Sequence, residues 1–272
     1  MSFNISHSLM NDHADMGSGQ DCMLCPLQFK AVHIDKIITK NDLFGKDKDA
    51  LNQGNFFEYK CTGAIPRNGK IPLAKTTAKG ALLPAYDNLL SQVEWWKEFA
   101  GSRITDIETS VEYKVEYNGF FIKGIVDVKC KYYGKPTFID LKATGVIDDK
   151  WSDNSWHDIR FKKKKTQQAV IYKWLGKQVD DIDYDFYFYV ASTSDPLRRK
   201  VLKIIPNQKS FDDLMEDMQY VKDNIEYRNQ SGWHNDAHMY KDYYLACAKC
   251  PEILSRDCPE RIIFPSVEDI NL

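Results

Sequence analysis

The sequence lacks long hydrophobic runs and strong net charge. No apolar stretch approaches the roughly 18 residues that a membrane-spanning helix requires, and the formal net charge is −2 over 272 residues. Residues 1–20 are polar and lack the apolar segment of a secretory signal. These absences predict a cytoplasmic protein with no membrane contact. They also mean that any binding of a polyanion must come from local clusters of cations.

Disulfide bonds are not expected, because a cytoplasmic location keeps thiols reduced. Two of the seven cysteines, Cys61 and Cys130, stand alone in apolar surroundings and are predicted to be small core residues. The other five fall into one cluster near each end of the chain: Cys22, Cys25, Cys247, Cys250 and Cys258. Two C-x2-C pairs at opposite ends predict a shared metal centre, because thiolates bind zinc and iron–sulfur clusters.

The composition is that of a globular protein, with 43% hydrophobic and 28% charged residues. The length suits a single domain over residues 1–272, and residues 1–20, rich in glycine, serine and asparagine, are expected to be loosely ordered. Periodicity predicts helices over 84–100, 161–178 (ended by Gly176) and 207–230, and shorter ones after Cys25 and around Glu58. It predicts strands over 105–117, 120–132, 137–141, 184–193 and 198–205. This order indicates an α/β fold in which helices flank a mixed central β-sheet.

The stretch from Gly119 to Lys142 carries the chemistry of the chain. It reads as two strands around a turn at 134–136, preceded by a hairpin turn at Asn118-Gly119. Asp140 and Lys142 are two residues apart in a strand, so they project to the same face. If the two strands pair, Asp127 reaches the same place. Two carboxylates and an ammonium group gathered there would suit a divalent cation and a phosphate ester. The alternative is an ordinary surface hairpin with scattered charges, because D-x-K after a strand is common.

Four motifs in order resemble those of the PD-(D/E)xK nucleases, and among them the RecB-like group. G-x-x-D is Gly124 to Asp127, (D/E)-x-K is Asp140 to Lys142, Q-x-x-x-Y is Gln168 to Tyr172, and the acid of the first helix is Glu58 in GNFFEY. The motifs lie within residues 54–172. A glutamate at the first position looks more like viral and RecB-type exonucleases than CRISPR adaptation nucleases, in which histidine is usual.

The resemblance implies a restriction-endonuclease-like core and a metal-dependent DNA exonuclease. Mg²⁺ or Mn²⁺ would be held by Glu58, Asp127, Asp140 and the carbonyl group of Leu141. Lys142 would position the attacking water and offset charge on the phosphate. Gln168 and Tyr172 would bind that water, a neighbouring phosphate or Lys142. The implied substrate is single-stranded or end-bearing DNA, in recombination or repair, bacterial or viral, and a recombination protein is a conceivable partner.

The resemblance extends to the cysteines. RecB-like nucleases often hold a [4Fe–4S] cluster through one N-terminal and three C-terminal cysteines, a plan that matches Cys25, Cys247, Cys250 and Cys258. The gap of seven residues before Cys258 is longer than expected of the family. A structural zinc ion held by Cys22, Cys25, Cys247 and Cys250 is the alternative. His234 and His238 are further candidate ligands or surface residues.

A lysine run and three ring side chains near the motifs each allow two interpretations. The run Lys162–Lys165 would contact phosphates or form a solvated face. Trp151, Trp156 and His157 would stack on unpaired bases or fill the core. Two other functions also remain open from the sequence: an endonuclease or flap nuclease of the same fold, and a catalytically silent nucleic-acid-binding protein.

Overall fold

The computed structural model describes residues 4–15, 24–39, 42–43, 48–66, 69–151, 159–233, 250–256 and 258. The strands are β1 (Asn4–Ile5), β2 (Ile104–Tyr117), β3 (Phe120–Tyr132), β4 (Lys135–Thr144), β5 (Asp185–Ser192) and β6 (Arg199–Ile204). The helices are α1 (His7–Asp15), α2 (Pro26–Phe29), α3 (Lys48–Thr62), α4 (Pro84–Arg103), α5 (Ile147–Trp151), α6 (Ile159–Asp180), α7 (Gln208–Ser231) and α8 (Glu252–Ser255). A π-helical turn, Lys30–Ile34, follows α2.

The strands form one mixed sheet of six strands in the order β1-β3-β4-β5-β6, and β2 also pairs with β3. β1 runs parallel to β3 and β4 runs parallel to β5, whereas the other pairs are antiparallel. The prediction of a mixed α/β sheet flanked by helices is confirmed. None of the helices in the described ranges combines the length and hydropathy that crossing a bilayer would need.

Two tight turns set the register of the central strands. Asn118 and Gly119 both have positive φ, 46° and 81°, as a two-residue hairpin turn requires. The next turn uses Tyr133 and Gly134, with φ of 49° and 77°. It therefore comes one residue earlier than predicted, and β4 begins at Lys135.

Residues 4–15, part of the segment predicted to be loose, form a strand and a helix. Ile5 is fully buried and pairs in β1 with Ile122 of β3. Leu9 and Met10 of α1 are also buried. A strand of two residues has no periodicity, so its pairing with β3 could not be predicted from the local pattern.

Gly176 does not end α6 as predicted, because the helix continues to Asp180. A Cβ atom at this position would lie 2.7 Å from Cδ2 of Tyr184 and 2.9 Å from Cε2 of Phe138. Gly176 thus allows the helix to approach the two stacked rings, whose centroids are 4.0 Å apart. A glycine that reads as a helix terminator is here a packing residue.

Alternation along the strands divides the sheet into two packed faces. One face carries Ile139, Leu141, Tyr189 and Ala191, which pack with Phe57 and other residues of α3 and α4 in the main core. The opposite face carries Asp140, Phe186 and Phe188. Tyr172 of α6 lies against Phe186, with 6.0 Å between ring centroids. The acid–x–lysine pair of β4 therefore faces α6.

The chain divides into two compact units, each assembled from separate segments. The first comprises Met1–His7 and Asp47–Met218, and the second comprises Ser8–Lys46 and Gln219–Leu272. The second unit has a small aromatic centre, in which Phe29 stacks on Trp233 with 5.9 Å between ring centroids. Nε2 of His33 lies there within hydrogen-bond distance, 2.6 Å, of Oδ2 of Asp12.

Candidate active site

The site lies where β3 and β4 diverge. Their pairing begins at Tyr132 with Lys135 and stops at Val128 with Ile139. The next residue on each strand is an acid, Asp127 on β3 and Asp140 on β4. The Leu141 backbone N–H donates a hydrogen bond of 2.8 Å to Oδ2 of Asp127. The first carboxylate thus occupies the gap that opens between the two strands.

The second carboxylate is held by two side chains. Asp140 is 1% exposed, and its Oδ1 accepts a hydrogen bond of 2.5 Å from Nε2 of Gln168. Its Oδ2 forms an ion pair with Nζ of Lys142. Tyr172 lies one helical turn after Gln168, with its hydroxyl 3.4 Å from the Gln168 amide nitrogen. The side chain of Lys142 is 26% exposed, so it lies nearer the surface than Asp140.

Burial and the crowding of like charges raise the pKa of Asp127 well above its usual range. Burial is the larger cause, followed by the carboxylate of Asp140 and, after a lowering by Lys142, that of Glu58. Burial by itself would lower the pKa of Lys142, but the two aspartates outweigh it and the pKa is raised. Burial and the same carboxylates raise the pKa of Tyr172. The negative charge at this position is therefore only partly compensated by protein groups.

Glu58 is half-buried on α3, and its charge acts on Asp127. No group of three or more histidine, cysteine, aspartate or glutamate side chains in the described part of the chain is arranged to hold a metal ion. Asp127 and Asp140 are instead engaged with Leu141, Gln168 and Lys142. The carboxylates of the buried Asp140 and the half-buried Asp127 do fit a hard divalent cation by their chemistry, because such ions prefer oxygen ligands and would relieve the repulsion.

Gly124 explains how α6 reaches the site. A Cβ atom here would lie 2.6 Å from Cε1 of Tyr172 and 3.0 Å from Cδ1 of Leu175. The absence of a side chain lets the helix lie directly on β3, and this brings Gln168 within reach of Asp140. The glycine of the G-x-x-D motif is therefore needed for the close packing of α6 on β3.

The side chain of Leu141 points into the main core, opposite to its neighbours Asp140 and Lys142, as strand alternation predicts. Cys130 is likewise a core residue, as predicted, and burial raises the pKa of its thiol to about 12. Cys61 is partly buried against the same core.

One of the three residues predicted either to stack on bases or to fill the core, Trp151, is a core residue. Trp151 is 3% exposed and packs against Phe188, with 5.1 Å between ring centroids. The segment between β4 and α6 contains α5, which buries this ring, so the stacking interpretation of Trp151 is wrong and the core interpretation is confirmed. Trp156 and His157 lie outside the described residues. The backbone of Lys162–Lys165 belongs to α6, and their side chains are outside the described part.

Some of the predicted cysteine ligands can be placed. Cys25 is buried at the N-cap of α2, where its Sγ accepts the Gln28 N–H at 3.5 Å. The short helix predicted after Cys25 is confirmed, with Pro26 in its first turn. Cys250 and Cys258 are half-buried. Cys22, Cys247, His234 and His238 lie outside the described residues.

Comparison with known proteins finds similarity of fold to solved structures. No protein-family model matches the chain, and no curated protein matches it. A crystal structure from Eubacterium rectale, described as a "Putative exonuclease", matches over 97% of this chain and 91% of that one, with 16% identity and a TM-score of 0.56. A second solved structure, SSO0001, matches over 66% of this chain and 73% of that one, with 19% identity and a TM-score of 0.31. The first likeness supports the fold.

Proposed function

We propose that this protein is a divalent-metal-dependent nuclease that hydrolyses phosphodiester bonds in DNA and acts from an end, as an exonuclease. The observation that carries the proposal is the meeting of two carboxylates, the buried Asp140 and the half-buried Asp127, with the Lys142 ammonium group where two strands part. Such a group is expensive to bury unless it serves a ligand. The E. rectale protein of similar fold, which is named as an exonuclease, adds support.

Each residue of the site has a proposed role. Asp127 and Asp140 would hold Mg²⁺ or Mn²⁺, with Glu58 and the Leu141 carbonyl oxygen as further oxygen ligands. When bound, such an ion supplies charge stabilisation and an activated water. Lys142 would lie beside the phosphate and offset its developing charge. Gln168 would orient Asp140, and Tyr172 would hold the Gln168 amide in place.

A cleavage assay on linear and covalently closed circular DNA tests the proposal. We expect Mg²⁺ or Mn²⁺ to be required, linear DNA to be degraded, and circular DNA to be spared. Cleavage of circular DNA would favour an endonuclease, and cleavage of branched substrates alone would favour a flap nuclease. Binding without any cleavage, with either ion, would leave a nucleic-acid-binding protein and overturn the proposal.

The substitution Asp127→Asn should change cleavage and stability in opposite directions. We expect cleavage to fall by at least about a hundredfold, because one carboxylate ligand is lost. The metal-free protein should be about 1 kcal/mol more stable, because the buried repulsion disappears. Lys142→Met should also lower cleavage but should destabilise the protein, since it leaves both carboxylates uncompensated. Wild-type rates in either variant would show that the centre is elsewhere.

We also propose that the cysteines bind a [4Fe–4S] cluster through Cys25, Cys247, Cys250 and Cys258, with zinc as the alternative metal. Support comes from the second compact unit, to which both terminal cysteine segments belong. Anaerobically purified protein should show the broad visible absorption of an iron–sulfur cluster, and Cys250→Ser should lose both the colour and the iron. Colourless protein that contains zinc would favour the zinc site. Protein with neither metal would exclude both.

A further inference from the structure

Two lysines occupy the same register row of the sheet, one at the candidate active site on β4 and one on the outer strand β6. Lys142 of β4 is in register with Val190 of β5, and Val190 is in register with Lys200 of β6. Residues opposite one another in a sheet project to the same face, so Lys200 shares the face of Lys142. With strands about 4.8 Å apart, the two backbones are separated by about 10 Å.

Lys200 and Arg198 share one carboxylate. Asp148 of α5 lies 3.3 Å from Nζ of Lys200 and also forms an ion pair with Arg198. Their side chains are 27% and 48% exposed, respectively. Arg198 and Lys200 thus place two cations against the same carboxylate. Arg199, between them, projects to the other face, where its guanidinium carbon lies 3.7 Å from the centroid of Trp95.

The turn over residues 193–198, which carries Arg198 and leads to Lys200, is fixed by side chains of α4. Gln92 of α4 is fully buried, and its amide nitrogen lies 3.2, 2.8 and 3.0 Å from the carbonyl oxygens of Asp195, Pro196 and Arg198. Asn88 donates a bond of 3.0 Å to the carbonyl oxygen of Thr193. A fixed backbone lowers the entropy lost when a side chain binds its ligand.

We propose that Arg198 and Lys200 form a phosphate-binding site that holds the DNA backbone two strands away from Lys142. This inference rests on the proposed nuclease function and extends it to residues that no motif includes. The phosphate takes the place of Asp148 as the partner of the two cations. The contact fixes the position of the strand relative to the scissile bond and reads no sequence, as phosphate contacts do.

Lys203 provides a matched control on the same strand. It also pairs with one carboxylate, Asp185, at 2.7 Å. It is three residues from Lys200, so it projects to the opposite face, and it lies towards the other end of β6. Replacing either lysine removes one charge from the same strand, but only Lys200 belongs to the proposed site.

The test is the salt dependence of binding to a fluorescent linear DNA duplex, measured by anisotropy in EDTA so that no cleavage occurs. A plot of log affinity against log salt concentration has a negative slope. We expect Lys200→Gln and Arg198→Gln each to make this slope shallower by about 0.9, and the double variant to make it shallower by about 1.8. Lys203→Gln should leave the slope unchanged. Asp148→Asn should tighten binding several-fold, because it removes the competing carboxylate. If the ion pairs with Asp148 were purely structural, these substitutions would instead lower the melting temperature and leave DNA binding unaltered.

Two outcomes separate this inference from the proposed function. If the wild type binds and cleaves DNA while Lys200→Gln and Lys203→Gln bind alike, the phosphate site is refuted and the nuclease stands. If the wild type neither binds nor cleaves DNA, both fail. Weaker binding of the double variant, with cleavage restored at high enzyme concentration, supports a positioning site distinct from the catalytic carboxylates.

Discussion

Single side chains in this protein show where burial has a cost. Tyr189 is 1% exposed, between Phe57, Trp96 and Phe99 in the main core. Its hydroxyl has no hydrogen-bond partner among the described residues. A buried polar group without a partner costs about 1–3 kcal/mol. The aromatic ring stabilises the core, and the hydroxyl opposes that contribution.

Tyr189→Phe should therefore raise the free energy of unfolding by about 1 kcal/mol. Tyr184→Phe is the control, because its hydroxyl donates to Asp180 at 2.7 Å, and its loss should lower stability by about the same amount. Denaturant unfolding of both variants provides the measurement. A destabilised Tyr189→Phe variant would show that the hydroxyl has a partner after all.

Alanine substitutions at two helical glycines test how closely α3 and α6 pack against their neighbours. Alanine normally stabilises a helix interior relative to glycine by about 1 kcal/mol. A Cβ atom at Gly54 of α3 would have no other atom within 4 Å, so Gly54→Ala should give this gain. Gly176→Ala should instead destabilise the protein, because the methyl group would collide with Tyr184 and Phe138. Thermal melting of the two variants should shift in opposite directions, and equal shifts would refute the close packing of α6.

The end of α6 is fixed by a pH-sensitive contact. Oδ2 of Asp180 accepts bonds of 2.6 Å from Tyr113 and 2.7 Å from Tyr184, and Nζ of Lys129 lies 3.2 Å away. Burial would raise the pKa of Asp180, but these donors outweigh it and the pKa is lowered. The carboxylate therefore stabilises the fold above its unfolded pKa of about 3.9, and this contribution disappears as the pH falls through the lower folded value.

Asp180→Asn should accordingly cost stability at neutral pH and progressively less in acid. The difference in unfolding free energy between wild type and variant should shrink as the pH is lowered from about 5 to about 2. Urea unfolding at a series of pH values measures it. A difference that does not vary with pH would mean that the contact is not ionic.

At the scale of the whole molecule, two continuous helices contribute to both compact units. The division falls between His7 and Ser8 at the start of α1, and between Met218 and Gln219 within α7. A helix is a cooperative structure, so unfolding one part of it weakens the rest. The single domain over residues 1–272 stays a prediction, and the continuity of these helices is a physical reason to expect it.

We therefore expect one calorimetric unfolding transition, with equal calorimetric and van't Hoff enthalpies. The measurement requires metal-loaded and metal-stripped samples, because a bound metal stabilises the unit that holds it. Two resolved transitions in the metal-loaded protein would show that the units fold independently, against the single-domain prediction.

The sequence by itself determined the features that depend on neighbours along the chain. Asn118-Gly119 forms a hairpin because few other dipeptides tolerate positive φ twice in succession. Strand alternation places Asp140 and Lys142 on one face and Leu141 on the other. The order of the motifs therefore indicated residues that the fold brings together, since Asp127, Asp140, Lys142 and Gln168 lie side by side, while their catalytic roles stay a prediction.

Only the tertiary structure decided the features that depend on distant segments. Gly176 continues a helix because Tyr184 and Phe138 occupy the space beside it, and Trp151 is buried because α5 packs on β5. The divergence of β3 and β4, which places Asp127 beside the Leu141 N–H, follows from how two whole strands pair. The row from Lys142 to Lys200 exists only through the register of three strands. Local patterns carry no information on these contacts, because their energy comes from residues far apart in sequence.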